Sequence, residues 1–422
     1  MTAPTFLQIH TLTSYPASLL NRDDVGFAKR IPFGSVPRLR VSSQCLKRHW
    51  RTHGGLHALS GIDLGQGPVG MSVRSRITFQ KNIRDPLIKG GIDPELATAV
   101  TEQLMVLLLG ESAKAKQKKV SDADADTDAE AKDDACKTSQ ITVLGRPEVD
   151  FLLAEAKALA AAVAAAAKGK KADLAKQVAE AAKKHFDADR KKNLRGLQLG
   201  AGLDAALFGR MVTSDILART DAAIHVAHAF TVHEEQTEAD FFSAVDDLER
   251  ERDDSSLGSG HIGSAELTSG LFYGYIAVDL PLLISNLSGV DRRDWLAHRG
   301  PLAAEVIRRL IHLVTTVSPG AKLGSTAPHA YAHFVMAELS AEQPRTLANA
   351  FLKPVHPRKG DDLLAATYTA LKTHLDGLNA MYGAATERRF AGLDADPLAS
   401  VAGERLSVPD LAKWAAAAVA GG

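Results

Sequence analysis

Three segments in the second half of the chain place apolar side chains at alternate positions: IHVAHAFTVH (224–233), LFYGYIAVDL (271–280) and HAYAHFVMAEL (329–339). A period of two lays one set of side chains on one face of an extended backbone, so each run is expected to be a strand, and together they require a sheet. FLQIHTL (6–12) and RLRV (38–41) add strand candidates near the N-terminus, and the Pro, Gly and Asn residues from Pro16 to Pro37 predict a loop between them. A different period appears in AAEVIRRLIHLVTTV (303–317), where Val306, Leu310, Leu313, Val314 and Val317 share one face of a helix. VPDLAKWAAAAVA (408–420) predicts a terminal helix with Pro409 in its first turn. Strands and helices mixed in this way predict an α+β unit.

The region between these blocks has another character. AKAKQKKV is followed by SDADADTDAEAKDDA, two oppositely charged blocks with little to bury, so about 112–140 is expected to be a solvated loop. Residues 151–186 are Ala-rich and predict helix, with Leu174, Val178 and His185 on one face and Lys176 and Lys183 on the other. Taken alone, that lysine stripe reads as a solvated helix face. The start, MTAPTFLQIHTL, has neither the basic region nor the long apolar run of a secretory signal, and no segment is long and apolar enough to cross a bilayer, so a cytoplasmic location is expected. Cys45 and Cys136, without metal-type spacing, are expected to be free thiols.

The 422 residues carry 50 Lys/Arg against 50 Asp/Glu, yet the first 53 hold eight Lys/Arg and only two acids, Asp23 and Asp24. Five of those cations fall in RLRVSSQCLKRHWR (38–51). Ser42 and Ser43 can cap a helix there, with Leu46 and Trp50 on one side, Lys47, Arg48 and Arg51 on the other, and N–H groups at its start suited to phosphate. Asp23 and Asp24 read in two ways, as carboxylates able to hold Mg²⁺ against a phosphodiester or as a pair that structures a loop. GQGPVG (65–70) lacks the βαβ frame of a dinucleotide site, and P-loop, GxSxG and HExxH signatures are absent, which weighs against an enzyme. His225, His228, His329 and His333 read as core or sheet-surface residues. The acidic, Gly/Ser-rich stretch 235–271 is bracketed by strands and predicts an arm; its adjacent Phe241 and Phe242 point to opposite sides of an extended chain, leaving one to dock on the body or to meet a partner.

NRDD (21–24), RVSSQCLKR (40–48), GRMVTS (209–214), IHVAHAFTVH, FFSAVDDL (241–248), HIGSAELTSGLFYGY (261–275), PGAK (319–322) and LANAF (347–351) together resemble the repeated backbone subunit of Cascade, the type I-E CRISPR effector complex (the CasC family). The likeness runs to about residue 355 and is weakest over 56–195. It implies an RRM-like (ferredoxin-like) palm from 1–55, 196–234 and 272–422, a helical finger insertion at 56–195 and a thumb at 235–271, forming a right-hand-like subunit. It further implies a non-enzymatic, cofactor-free ribonucleoprotein scaffold of antiviral defence. Copies stack head to tail as a helical filament on guide crRNA, with target DNA and the other Cascade subunits as partners: the large PAM-recognising subunit, the small subunit and those at the guide 5′ and 3′ ends. No membrane partner is implied. By the same resemblance Arg22, Lys29, Arg40, Ser42, Ser43, Gln44, Lys47, Arg48, Arg51 and Met211 bind RNA. Phe241, Phe242, Ser243, Val245, His261 and Ile262 form the thumb wedge at guide and target, and Lys168, Lys170, Lys171 and Lys176, with Lys183 and Lys184, touch duplex DNA. A surface that accepts any guide holds its backbone and leaves base edges free, which suits an aromatic content of only 5%. Two other readings are a guide-directed nuclease using Asp23 and Asp24, and a general single-stranded RNA-binding protein.

Overall fold

The computed structural model describes residues 3–65, 67–110, 136–166, 174–197, 199–211, 217, 219–244, 261–357, 362–383 and 387–421. The chain divides into two units: Met1–Ile62, Ile224–Leu280 and Arg299–Gly422 form the first, and Asp63–Ala223 with Pro281–His298 the second. In chain order the strands are β1 (Phe6–Ser18), β2 (Arg30–Phe33), β3 (Val36–Val41), β4 (Ser72–Ser75), β5 (Thr142–Gly145), β6 (Ile224–Val226), β7 (Ala229–Thr231), β8 (Gln236–Ala244), β9 (His261–Asp279), β10 (Phe334–Ser340), β11 (Glu387–Gly392) and β12 (Glu404–Arg405). The longer helices are α1 (Ser43–Thr52), α2 (Pro94–Leu109), α3 (Arg146–Ala166), α4 (Leu174–His185), α5 (Pro301–Thr316), α6 (Leu363–Tyr382) and α7 (Val408–Ala420).

All but β4 and β5 belong to the first unit, where the order is β12-β11-β10-β1-β9-β7-β3-β2 and β6 and β8 also pair with β9. β1 is central, antiparallel to β10 from Phe6↔Ser340 to Leu12↔Phe334 and to β9 from Phe6↔Asp279. Both of its faces are covered, since Leu7 and Ile9 on one and Gln8, His10 and Leu12 on the other are buried. Leu12, Tyr273, Phe334, Met336 and Phe390 share a core with Tyr368, Leu371 and Leu375 of α6. Helix α5 packs on β1 and α7 on β10 and β11. The predicted face of α5 is buried at Val306, Leu310, Leu313 and Val314, and Pro409 lies in the first turn of α7. The unit is thus mixed α+β, as the two hydrophobic periods imply.

Three boundaries differ from the sequence expectation. The stretch from Pro16 to Pro37 is not all loop: β2 and β3 form a hairpin through Gly34 and Ser35, whose φ of 65° and 71° suit the tight turn that matches strand twist. A Cβ on Gly34 would also collide with the Leu352 carbonyl. IHVAHAFTVH is two short strands broken at residues 227–228, each paired to β9. The third alternating run enters the sheet only at Phe334, where pairing with β1 begins.

A polar network is enclosed in the same sheet. His10 bridges Tyr273 (Nδ1···Oη 2.9 Å) and Glu338 (Nε2···Oε2 2.8 Å), while Arg388 Nε donates to the other Glu338 oxygen. Burial by itself would raise the Glu338 carboxyl; the hydrogen bond and charge of His10, with the Arg388 guanidinium, outweigh it and hold the group at about 2.

In the second unit β4 and β5 form a two-stranded antiparallel sheet, and α2, α3 and α4 share a core that includes Leu104, Leu152, Leu159 and Val178. Buried Arg210 grips Glu148 through both nitrogens at 2.6 and 2.8 Å. Cys136 is fully buried in this core and Thr138 is also buried, so 136–138 is not the solvated loop its composition predicts; residues 112–135 of that loop lie outside the described residues. Neither Cys45 nor Cys136 is in a disulfide among the described residues. Among the described residues no helix is long and apolar enough to cross a membrane.

Candidate nucleic-acid interface

Helix α1 forms where the sequence places its cap. Ser42 is extended at φ −70° and ψ 149°, and its Oγ accepts the Cys45 N–H at 3.3 Å. No acid occupies the first turn, so nothing on the helix offsets the positive end of its dipole. Trp50 is buried and Leu46 half-buried, leaving Gln44 and Arg48 exposed and Lys47 and Arg51 half-exposed on the remaining surface. Ser42 and Ser43 are themselves buried, and the Ser43 hydroxyl donates to Gln44 Oε1 at 3.3 Å.

Long-range hydrogen bonds gather the other cations around this helix. Asn21 Oδ1 accepts the Ser42 N–H at 2.9 Å, and the Asn21 carbonyl accepts from Lys29 N at 2.9 Å. The Lys29 carbonyl in turn accepts from Arg40 N at 2.8 Å. Arg22, Lys29, Arg40, Lys47 and Arg48 therefore occupy one connected region built from the 21–29 loop, the β2–β3 hairpin and α1. Asp23 Oδ1 accepts the N–H groups of Val25 (3.1 Å) and Phe27 (2.9 Å), the work of a loop-structuring residue. Among the described residues no group of three or more His, Cys, Asp or Glu could hold a metal ion.

Not every cation of the basic run faces outward. Arg38 is fully buried and donates to the carbonyls of Phe33, Thr231 and Phe351. Arg30 is held by Glu235 and Glu266, which cancel its charge locally. Arg40 donates from Nε to the Arg30 carbonyl (3.1 Å) and from Nη1 toward His228 Nδ1 (3.0 Å). Sequence reasoning treated His228 as an ordinary sheet histidine. Burial first, then the charges of Arg40, Lys29 and Lys47, push its imidazole below the usual value of 6.5, and that grouping crosses about 200 residues of sequence that no periodicity can bridge.

β8 and the first half of β9 form an antiparallel ladder from Gln236↔Ser269 to Ala244↔His261. Beyond Thr268, β8 is the only ladder partner of β9 among the described residues. Phe242 lies opposite Gly263, and a Cβ there would collide with its ring, so the ring covers the glycine. Phe242 is 46% exposed and Phe241, on the other face, 75%. Ser243, His261 and Ile262 take part in the ladder through their backbone, and Val245 lies outside the described residues.

The second unit holds the remaining candidates. Met211 is 91% exposed, immediately after Arg210, whose backbone bridges Thr220. Lys176, Lys183 and Lys184 are exposed on α4 while Val178 and Ala182 are buried, and His185 pairs with Glu155 at 2.6 Å. Lys168, Lys170 and Lys171 lie outside the described residues.

The family model for CT1975-like proteins matches residues 7–414. No curated protein matches the chain. Among solved structures, the chain is similar to a component of a "CRISPR RNA-guided surveillance complex, pre-nicking" at 30% identity and a TM-score of 0.71, covering 98% of this chain and all of that one. It is also similar to a component of a "CRISPR RNA-guided surveillance complex" at 26% identity and a TM-score of 0.64, with the same coverage.

Proposed function

The chain belongs to the CT1975-like protein family, and from that membership we propose that it is a crRNA-binding subunit of a Cascade-type CRISPR surveillance complex. The observation that carries the reading is the connected cationic region of Arg22, Lys29, Arg40, Lys47 and Arg48, assembled around the acid-free N-terminus of α1. Cations and N–H groups grip the guide backbone, which all guides share, and leave the bases free to pair. In finer detail it is the repeated backbone subunit of a type I-E complex, with an RRM-like palm, a helical finger and a thumb formed by the β8–β9 ribbon. Copies assemble head to tail along crRNA, with Phe241 as the exposed thumb wedge against guide and target. Met211 adds to the guide contacts, and the α4 lysines Lys176, Lys183 and Lys184 meet duplex DNA.

The subunit is a scaffold and not a nuclease. Asp23 as the acceptor for two loop N–H groups supports that assignment, because an oxygen so engaged is a poor metal ligand. Mass measurement of the protein with single-stranded RNAs of increasing length tests the reading. Bound copies are expected to rise stepwise with RNA length while the RNA stays intact in Mg²⁺. A single copy at every length would remove the scaffold, and shortened RNA would move Asp23 and Asp24 into a catalytic role.

A further inference from the structure

His228 lies at the break between β6 and β7, where it faces Arg40 of β3, Lys29 of the preceding loop and Lys47 of α1. Arg40 Nη1 stands 3.0 Å from its Nδ1. Because a guanidinium can only donate, Nδ1 is the acceptor and the ring is the neutral tautomer with its proton on Nε2. Glu235 and Glu266 are engaged by Arg30, and among the described residues the charged groups that act on His228 are Arg40, Lys29 and Lys47. An exposed, neutral imidazole thus stands in the field of three cations, and a bound phosphodiester is the charge that changes its state. As the anion docks among Lys29, Arg40 and Lys47 it cancels the field that opposes protonation and competes with Nδ1 for the guanidinium.

We infer that His228 is a further phosphodiester-binding residue, which takes up one proton from solvent as the RNA backbone docks and then binds it as an imidazolium. The inference rests on the RNA-binding reading above and adds to it a residue and a proton count. Binding linked to uptake of one proton strengthens as pH falls, by at most about tenfold per pH unit. It does so only between the depressed titration of the free protein and the raised titration of the complex; at higher pH both states are neutral and the dependence vanishes.

The test uses the intact chain and a uridine oligomer, whose bases do not titrate between about pH 5.5 and about pH 8. Affinity is followed by fluorescence anisotropy across that range, and proton uptake by calorimetry in two buffers of different ionisation heat. The wild type is expected to take up close to one proton in the acidic part of the range. His228→Gln, which keeps an acceptor for Arg40 and cannot titrate, is expected to take up none and to lose the gain in affinity that the wild type shows as pH falls. RNA binding by the wild type without proton uptake, or uptake unchanged in His228→Gln, overturns the inference and leaves the RNA-binding reading standing. Failure of the wild type to bind RNA at all removes both. If the variant fails to fold, the wild-type proton count still decides.

Discussion

His10 and His228 belong to one sheet system and to opposite electrostatic settings. His10 is buried between Tyr273 and Glu338, and the Glu338 carboxylate is satisfied from the other side by Arg388. Each charge there has a partner inside the protein, so the cluster defines the packing of β1, β9, β10 and β11 and has no need of a ligand. His228 is exposed beside Arg40, Lys29 and Lys47, and the charged groups that act on it are these three cations. An imbalance of one sign at an accessible surface is a binding property; a balanced set in the interior is a folding property.

The sharpest way to break this contrast is to unbalance the interior. Glu338→Ala leaves His10 and Arg388 buried without their acceptor and is expected to cost about 3–5 kcal/mol of stability, read from the shift of the denaturant midpoint; a loss below about 1 kcal/mol would mean that the network holds little. The same carboxylate sets an acid limit. Its folded value of about 2 lies below the ordinary 4.5, so its contribution is complete above the latter and is lost as pH falls toward the former. Glu338→Gln should flatten the stability profile in that window, and a profile identical to wild type would show that other carboxylates govern it.

An intermediate effect is expected at the cationic surface. Replacing Lys47 and Arg51 with Ala should weaken RNA binding equally for all guide sequences and reduce the salt slope by about 0.7 for each phosphate that is no longer neutralised. Arg30→Ala serves as the internal comparison, because Glu235 and Glu266 already hold that charge and the slope should not move. A strongly sequence-dependent loss in the Lys47 and Arg51 variant would replace backbone holding with base reading.

The smallest effect on stability separates two neighbours on the β8–β9 ribbon. Phe242→Ala uncovers Gly263 and is expected to lower ribbon stability by about 0.2–1 kcal/mol, measured as faster amide exchange in β8. Phe241→Ala should leave exchange unchanged, spare RNA loading and reduce hybridisation of target DNA. Equal target affinity for wild type and Phe241→Ala would remove the wedge.

The legible part of the fold was the part governed by local pattern. The apolar spacing of α5 and the strand character of FLQIHTL can be read from a few neighbouring residues, because their period decides which side chains face a core. So can the Ser42 cap, which needs only a side chain three positions before the N–H it accepts. The hairpin at 30–41 was hidden because Pro32 and Pro37 read as loop, although a two-residue turn with both φ values positive lies between them. Cys136 was misplaced because its charged neighbours lower local hydropathy, while its environment is set by helices from elsewhere in the chain.

The sequence by itself determined the mixed α+β class, the cationic helix and the family resemblance, since all three are carried by residues close together or by motifs in a definite order. Only the tertiary structure decided which of those charges are offered outward. Arg38 and Arg40 are two residues apart and look alike on paper, yet Arg38 is consumed by the carbonyls of Thr231 and Phe351 while Arg40 reaches the surface beside His228. The reason is physical: whether a charge is available depends on the partners that neutralise or solvate it, and those partners arrive from distant parts of the chain when the sheet closes.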